Sequence, residues 1–252
     1  CTTPLLDGDR ISTESEALRE FRQGMLALLA EHVQERSVEA LPEKPLHRAL
    51  RQQGLAGSGA ASASVDESHP CIRFDPAQCI LCLRCVRICD ELQGESVWHV
   101  VERGGRSHLA FDRGTTLAGS SCVGCGACVD TCPSAALADR SRLERGAPQS
   151  WVRTTCAYCG VGCELELGCR DGGVVQARPV PQSPVSRGHL CIKGRYAFDY
   201  LSAPDRITTP LIRRGRHWVA VGWDEALAHC AAGLGRIVRD RGADAVGVLG
   251  SA

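Results

Sequence analysis

Aromatic side chains, net charge and long apolar runs are all scarce in this chain of 252 residues. Only 4% of the residues are aromatic, which argues against a large aromatic core. Basic and acidic residues both number 29, so the formal net charge is zero and no basic face predicts nucleic-acid binding. The longest apolar stretch, around Met25–Ala30, is far shorter than the roughly 20 residues of a membrane-spanning helix. The sequence therefore predicts no membrane span.

Cysteine, by contrast, is abundant. The 16 cysteines must be explained as disulfides, zinc ligands or iron–sulfur ligands. Two runs, Cys79–Cys89 and Cys122–Cys132, share the spacing Cys-x2-Cys-x2-Cys-x3-Cys, and Pro133 follows the second. Three thiolates two residues apart can bind three corners of a cubane, which leaves the fourth iron for a distant cysteine.

In the two-cluster ferredoxin arrangement, the fourth cysteine of each run binds the other run's cluster. This predicts a first set of [4Fe–4S] ligands at Cys79, Cys82, Cys85 and Cys132. It predicts a second set at Cys122, Cys125, Cys128 and Cys89. Zinc would need only two separated pairs, and disulfides would join cysteines too close in sequence to be useful, so the spacing favours iron–sulfur clusters. Gly124 and Gly126 would let backbone amides approach inorganic sulfur, or would simply serve turns.

Four more cysteines have a different spacing, Cys-x2-Cys-x3-Cys-x27-Cys. This third set is Cys156, Cys159, Cys163 and Cys191. Spacing alone allows either a further [4Fe–4S] cluster or zinc, and the neighbouring two-cluster module favours the cluster. Three further cysteines, Cys71, Cys169 and Cys230, are assigned no ligand role, and Cys230 is interpreted as a small core residue.

The remaining pattern predicts an α+β protein. Thr13–Glu16 resembles a capping box for a helix over 14–33, and the small-residue segment 54–64 is interpreted as a flexible linker. A hairpin is predicted over 211–221, then a helix capped by Asp224. The apolar face of this helix comprises Leu227, Cys230, Ala231, Leu234 and Val238. A buried strand is expected at 245–249, as at the opening of an α/β domain.

Two motifs carry a resemblance to a known family. Cys156-Ala-Tyr-Cys-Gly-Val-Gly-Cys163 and Cys191-Ile-Lys-Gly-Arg-Tyr-Ala-Phe-Asp-Tyr200 resemble the cluster domain of molybdopterin oxidoreductases, above all formate dehydrogenase catalytic subunits. The run that continues into Asp90-Glu-Leu-Gln-Gly94 is also similar to that family. The opening Cys1-Thr-Thr-Pro-Leu-Leu-Asp-Gly8 resembles the last ligand segment of a plant-type [2Fe–2S] domain. The resemblance implies that the chain is part of a longer polypeptide.

The resemblance also implies cofactors, partners and roles. Lys193 would relay electrons at the edge of a pterin, and Cys1 would be a remnant of a [2Fe–2S] site. The full-length protein would hold molybdenum or tungsten on a bis(pterin guanine dinucleotide), with its catalytic residues beyond this chain. The expected partner is a flavin- and NAD-reducing iron–sulfur subunit or a ferredoxin-like protein, in the cytoplasm.

Six regions follow from the motifs and the resemblance. They are the [2Fe–2S] tail (1–13), a helical segment (14–53), a linker (54–68), a two-cluster ferredoxin-type domain (69–140), a β-rich [4Fe–4S] domain (151–205) and the start of a molybdopterin-binding α/β domain (206–252).

One departure from the family concerns a His-x3-Cys-x2-Cys-x5-Cys cluster that relatives place after the first long helix. His32 stands at the position of its histidine, but Arg36 occupies the first cysteine position. The sequence therefore predicts that this cluster is lost and that His32 is a surface or packing residue.

Two alternative functions stay open. The largest peripheral subunit of complex I shares the [2Fe–2S] segment, but normally has the His–Cys cluster and lacks the complete second ferredoxin set. A non-catalytic, ferredoxin-like electron carrier is the alternative from another class. Iron-only hydrogenases and nitrate reductases each share one part of the pattern and lack another.

Overall fold

The computed structural model describes residues 4–61 and 64–249, so the predicted role of Cys1 lies outside the described residues. Within them the α-helices α1 to α8 are Glu16–Ala30, Glu35–Ala40, Pro45–Gln52, Arg84–Arg87, Ala127–Thr131, Arg140–Arg145, Ile192–Tyr196 and Trp223–Arg241. The strands β1 to β9 are Ile72–Phe74, Trp98–Val101, His108–Phe111, Leu137–Asp139, Ser150–Thr155, Glu164–Arg170, Gly173–Pro179, Leu211–Arg214 and His217–Ala220. Small antiparallel sheets and separate helices confirm the predicted α+β class.

The long N-terminal helix forms where the apolar spacing predicts it, but its cap differs. The hydroxyl of Ser15, not Thr13, accepts a hydrogen bond from the Leu18 amide at 3.2 Å. Helices α1 to α3 pack through a small core of Ala30, Val33, Val38, Leu46 and Leu50. The other side of α1 stays open, and Phe21 is 66% exposed.

The segment predicted to be a flexible linker lies against the end of α1. The amides of Ser58 and Gly59 donate to the carbonyls of Ala30 and Val33 at 3.0 and 2.9 Å. A Cβ atom at Gly57 would come within 2.4 Å of the Val33 carbonyl oxygen. Small residues are therefore needed here for close backbone approach, a contact that the composition of the segment did not predict.

The cysteine-rich module is built around the antiparallel pair β1–β4, in which Ile72 faces Asp139. Helices α4 and α5 pack against each other beside this pair. The β2–β3 hairpin closes the core, because the rings of Phe74, Trp98 and Phe111 contact one another with centroids 5.1 to 6.1 Å apart. Four buried cysteines, Cys85, Cys89, Cys128 and Cys132, belong to the same core.

The next module is a three-stranded antiparallel sheet in the order β5–β6–β7, with α7 packed on β7. Beyond it the predicted hairpin is confirmed as β8–β9, with Leu211 opposite Ala220. Helix α8 begins after Gly222, so Asp224 lies in its first turn and does not cap it.

Two expectations for the last residues are wrong. Cys230 and the apolar positions around it are exposed, because none of the described residues cover that face of α8. Residues Ala243–Ala245 form a short 3-10 turn, and 246–249 pair with no strand among the described residues. Val248 is accordingly 90% exposed, where a buried strand was expected. In the described part of the chain, no helix has the length and apolarity to cross a bilayer.

Candidate iron–sulfur sites

The first set of cysteines lines one cavity in the ferredoxin-like module. Cys79 and Cys82 come from the loop before α4, Cys85 from α4 itself and Cys132 from the end of α5. Burial, and to a smaller extent the nearby thiols of the other three cysteines, raises the pKa of Cys85 to about 12. The structure thus brings together the four residues of this set, including the one from the distant run.

The second set lines a second cavity of the same kind. Cys122 and Cys125 lie on the loop before α5, Cys128 lies in α5, and Cys89 lies in a π-helical turn over Ile88–Leu92. Burial raises the pKa of Cys128 well above its usual value, and the other three thiols raise it further. Here too the fourth cysteine comes from the other run.

The two cavities adjoin because one short helix serves both. Helix α5 carries Cys128, which lines the second cavity, and Cys132, the residue directly after the helix, lines the first. Cys85 is close enough to Cys128 to raise the pKa of the Cys128 thiol by electrostatic repulsion. A short separation along one helix therefore places cysteines of both sets side by side.

Backbone amides point at several of these sulfurs. The amides of Val97, Gly124 and Leu137 donate to the Sγ atoms of Cys89, Cys122 and Cys132, respectively, at 3.4 to 3.5 Å. Hydrogen bonds to ligand sulfur are one means by which a protein sets the reduction potential of a cluster. The cavities thus combine thiol donors with amide donors, which is the chemistry that an iron–sulfur cluster requires.

The third set gathers at the end of the β5–β6–β7 sheet. Burial raises the pKa of Cys163, and the nearby thiols of Cys156, Cys159 and Cys191 raise it further, by smaller amounts. The Cys156 amide donates to the Cys163 carbonyl at 2.8 Å, which closes the loop between β5 and β6. Cys159 and Cys191 are exposed, so this set lies at the surface of the described residues, unlike the first two.

Lys193 lies two residues beyond Cys191 and is exposed. It lines a pocket together with Cys156, Tyr158 and Arg206. Among the described residues, no group of three or more His, Cys, Asp or Glu side chains is arranged to hold a metal ion by itself. A cubane is larger than a single ion, and its four thiolates bind four different irons.

The structure adds a packing role to those predicted for Gly124 and Gly126. Leu81 and Leu83 in the first run occupy the positions of Gly124 and Gly126 in the second, and all four have positive φ angles between 52° and 73°. Side chains are therefore compatible with the loop itself. A Cβ at Gly126 would instead lie 2.2 Å from Nε of Arg195. Glycine is required there because α7 packs against the loop.

The sequence pattern alone missed a buried ionic network. Arg195 is 1% exposed and contacts the carboxylates of Asp130 and Asp139. The hydroxyl of Tyr196 donates to Asp139 at 2.7 Å. Charged residues inside cysteine motifs, such as Asp130 between Cys128 and Cys132, were the available clue.

His47 was also missed. It is fully buried, and its Nδ1 and Nε2 atoms lie 2.8 and 3.2 Å from the carbonyl oxygens of Leu41 and Ser134. It joins the N-terminal helices to the loop after Cys132. His32, in contrast, is exposed, in line with its prediction as a surface residue.

Three family models match consecutive parts of the chain. Residues 69–138 match the ferredoxin-like domain of NADH-quinone oxidoreductase subunit 3. Residues 149–203 match the molybdopterin oxidoreductase Fe4S4 domain, and residues 206–252 match the molybdopterin oxidoreductase model.

Curated relatives cover the chain broadly. The α subunit of the NADPH-Fe(3+) oxidoreductase of Geobacter sulfurreducens is 33% identical over an alignment of 259 positions, which covers 100% of this chain and 30% of the relative. A subunit of the NADH-quinone oxidoreductase of Rhizobium meliloti is 31% identical, covering 90% of this chain and 27% of the relative. The Bacillus subtilis protein named "Putative formate dehydrogenase YrhE" is 31% identical, and the match covers 75% of this chain and 24% of the relative.

The chain thus spans less than a third of the length of these relatives. Each family match coincides with one part of the structure. The three matches cover, in chain order, the ferredoxin-like module, the three-stranded sheet with the third set, and the C-terminal hairpin and helix. Residues 149–203 and 206–252 thus belong to molybdopterin oxidoreductase domains that follow a ferredoxin-like module, and the chain is the iron–sulfur region of a protein with these domains.

Proposed function

We propose that the chain transfers electrons through three [4Fe–4S] clusters, one held by each set of cysteines. The observation that carries this proposal is the gathering of each predicted set of four thiols into its own group. A bound cluster would supply one-electron oxidation and reduction at each site. The Fe4S4 and ferredoxin-like domain matches support the presence of such clusters.

The residues fit this cofactor chemically. Iron binds thiolates, whereas burial raises the pKa of these thiols, so the free side chains hold their protons. Cluster binding must therefore release protons, and the site then keeps its sulfurs in a protein interior with few charges. That interior and the amide donors to Cys89, Cys122 and Cys132 are what the chain contributes to the reduction potentials.

The order of the sets defines a route. The first and second sets adjoin through α5, and the segment 189–196, which contains Cys191, packs on the loop of the second set. Electrons would therefore pass between the first and third sets by way of the second. Lys193 lies beside Cys156 in the pocket at the far end, where it would relay electrons at the edge of a pterin.

For the full-length protein we propose formate oxidation at molybdenum or tungsten on a bis(pterin guanine dinucleotide). The relative named as a formate dehydrogenase and the molybdopterin oxidoreductase matches support this. The electrons would leave to a flavin- and NAD-reducing iron–sulfur subunit or a ferredoxin-like protein, as part of a multi-subunit redox complex. Two of the relatives are themselves named as subunits, which supports such an assembly.

A second candidate is a role like that of the related subunit of NADH-quinone oxidoreductase. That relative covers 90% of this chain, and residues 69–138 match a domain from an enzyme of the same name. Formate-dependent dye reduction by the full-length protein, combined with metal analysis, separates the two. Turnover with bound molybdenum or tungsten is the expected result, while absence of both metal and turnover would favour the quinone-reductase role or a carrier.

The cluster assignment is tested on the chain itself. Three cubanes predict about twelve iron and about twelve acid-labile sulfide atoms per chain. The variant Cys132→Ser should lose about four of these irons, those of the first set. Cys169→Ser is the matched control, because Cys169 is a half-buried cysteine in β6 outside all three sets. Equal iron content in the two variants, or stoichiometric zinc without sulfide, would contradict the assignment.

A further inference from the structure

One guanidinium group is buried where the two cysteine-rich modules meet. Arg195 is 1% exposed, and its terminal nitrogens donate to both oxygens of Asp130 at 2.6 and 2.8 Å. The same group donates to Asp139 at 3.0 Å, and the Tyr196 hydroxyl donates to Asp139 at 2.7 Å. Gln176 from β7 completes the shell around Asp139 at 3.1 Å.

The position of this network along the chain links all three sets. Asp130 lies in α5, between Cys128 of the second set and Cys132 of the first. Arg195 lies four residues after Cys191 of the third set, on α7. The ion pair therefore joins a helix that carries ligands of two sets to the helix that follows the last ligand of the third.

Close packing surrounds the ion pair on the side of the second set. Cβ atoms placed at Gly124 and Gly126 would come within 2.7 Å of Ile192 Cδ1 and 2.2 Å of Arg195 Nε. On another side, the Gln93 side chain contacts Nδ1 of His189 at 3.1 Å. The segment 189–196 thus contacts both chain sections that supply the second set, before α5 and after Cys89.

We propose that Arg195 is a positioning residue, which fixes the third cluster against the second. The proposal rests on the proposed function. A buried ion pair adds little net stability, but its two-pronged geometry permits one arrangement of the partners. Removing the guanidinium would leave Asp130 and Asp139 without their shared cation and would free α7 to shift on the loop. The distance between the two clusters, which governs electron transfer between them, depends on that contact.

The test uses the chain with its clusters reconstituted and reduced. Electron paramagnetic resonance measures the magnetic interaction between neighbouring reduced clusters, which weakens steeply with their separation. In Arg195→Gln we expect this interaction to be lost between the second and third clusters, with iron content unchanged. Arg195→Lys keeps the charge but cannot bind a carboxylate with two parallel hydrogen bonds, so it should restore the interaction only in part.

Arg145→Gln is the matched control. Arg145 binds Asp199 through two hydrogen bonds of 2.6 and 3.0 Å and joins the same two modules, but at the exposed surface. This variant should keep the wild-type interaction. A wild-type interaction in Arg195→Gln would overturn the proposal. Loss of iron from Arg195→Gln and Arg195→Lys would also overturn it, since Arg195 would then be needed for assembly.

The two proposals fail in different ways. If the wild-type chain lacks iron and sulfide, the proposed function fails before any variant is compared. If the wild-type chain holds its clusters and the Arg195 variants leave their interaction unchanged, only the positioning role fails.

Discussion

At the scale of single residues, the same backbone conformation carries different side chains for different reasons. Leu83 and Gly126 are equivalent in the two cysteine runs and both have left-handed backbone, with φ of 59° and 73°. Leu83 lies at the surface, whereas Gly126 lies beneath Arg195. Glycine is needed at position 126 because Arg195 packs against it. The cysteine spacing within the run could not predict this contact.

The substitution Gly126→Ala should therefore destabilise the protein. A left-handed alanine costs roughly 1–2 kcal/mol, and displacing Arg195 adds about 1–3 kcal/mol. The measurement is the denaturant midpoint at which the cluster absorbance disappears. Gly172→Ala is the control, since Gly172 has a φ of 80° and a Cβ atom there would have nothing within 4 Å, so it carries the backbone cost alone. Equal midpoints would refute the packing explanation.

A second residue-scale effect concerns acid. Burial lowers the pKa of His47 from its ordinary value, outweighing its two carbonyl neighbours, which raise it. The unfolded chain therefore binds a proton more readily than the folded one, so stability falls as the pH drops below about 6.5. Lys44 also lowers and Glu43 raises this pKa, and both effects are smaller.

We expect the unfolding midpoint to fall between neutral pH and about pH 5.5, and His47→Gln to flatten part of that slope. His32→Gln, at an exposed histidine, should leave the slope as in the wild type. A slope unchanged by His47→Gln would show that other groups cause the acid sensitivity.

At the scale of elements, the spacing of apolar residues predicted helices and hairpins whose faces repeat along the chain. It did not predict structure that depends on tertiary contacts. The helix from Glu16 and the hairpin at Leu211–Ala220 follow from local patterns. The 245–249 strand was wrong because a strand needs a neighbour to pair with, and the described residues supply none. The composition of segment 54–64 predicted a flexible linker, and did not predict that Gly57 and Gly59 within it approach the backbone that follows α1.

The β2–β3 hairpin supports the second set through its aromatic residues. Trp98 is 2% exposed among Phe74 and Phe111, and it follows Val97, whose amide donates to Cys89 Sγ. Trp98→Ala should cost about 3–5 kcal/mol of stability and, under the proposed assignment, should release the cluster of the second set first. The β9 residue Trp218 is 65% exposed, so Trp218→Ala should change stability by less than about 0.5 kcal/mol.

Iron release during denaturant titration, followed with the spectrum of each cluster, measures this difference. Loss of all clusters in one step from Trp98→Ala would show that the hairpin supports the module as a whole.

At the scale of the whole molecule, the cysteine sets could be predicted from the sequence, whereas their arrangement could not. Spacing predicted which four thiols gather in each set, including Cys89 and Cys132 from the distant runs. The relation of the third set to the second depends on Arg195 and on contacts across 65 residues of chain, between Asp130 and Arg195. Long-range ion pairs of this kind leave no periodic pattern in a sequence.

Removing the clusters should loosen the ferredoxin-like module. Under the proposed assignment, four of the cysteines that bind the clusters belong to its core, and without iron nothing would hold together the cysteines that line its two cavities. Treatment with an iron chelator and an oxidant should therefore expose residues 64–145 to protease. The β5–β6–β7 strands, paired through antiparallel ladders, should be cut more slowly. Equal cleavage of holo and apo protein would contradict this.

The packing of 189–196 over the second set also constrains how the protein matures. Under the proposed assignment, Ile192 and Arg195 cover the loop that carries Cys122 and Cys125. Because the segment covers one side of the loop once it has packed, we expect the second cluster to bind before α7 settles there. The chain from Ala127 to Tyr196 would then complete its folding only after the second cluster is inserted. Cluster insertion and folding would therefore occur in a fixed order.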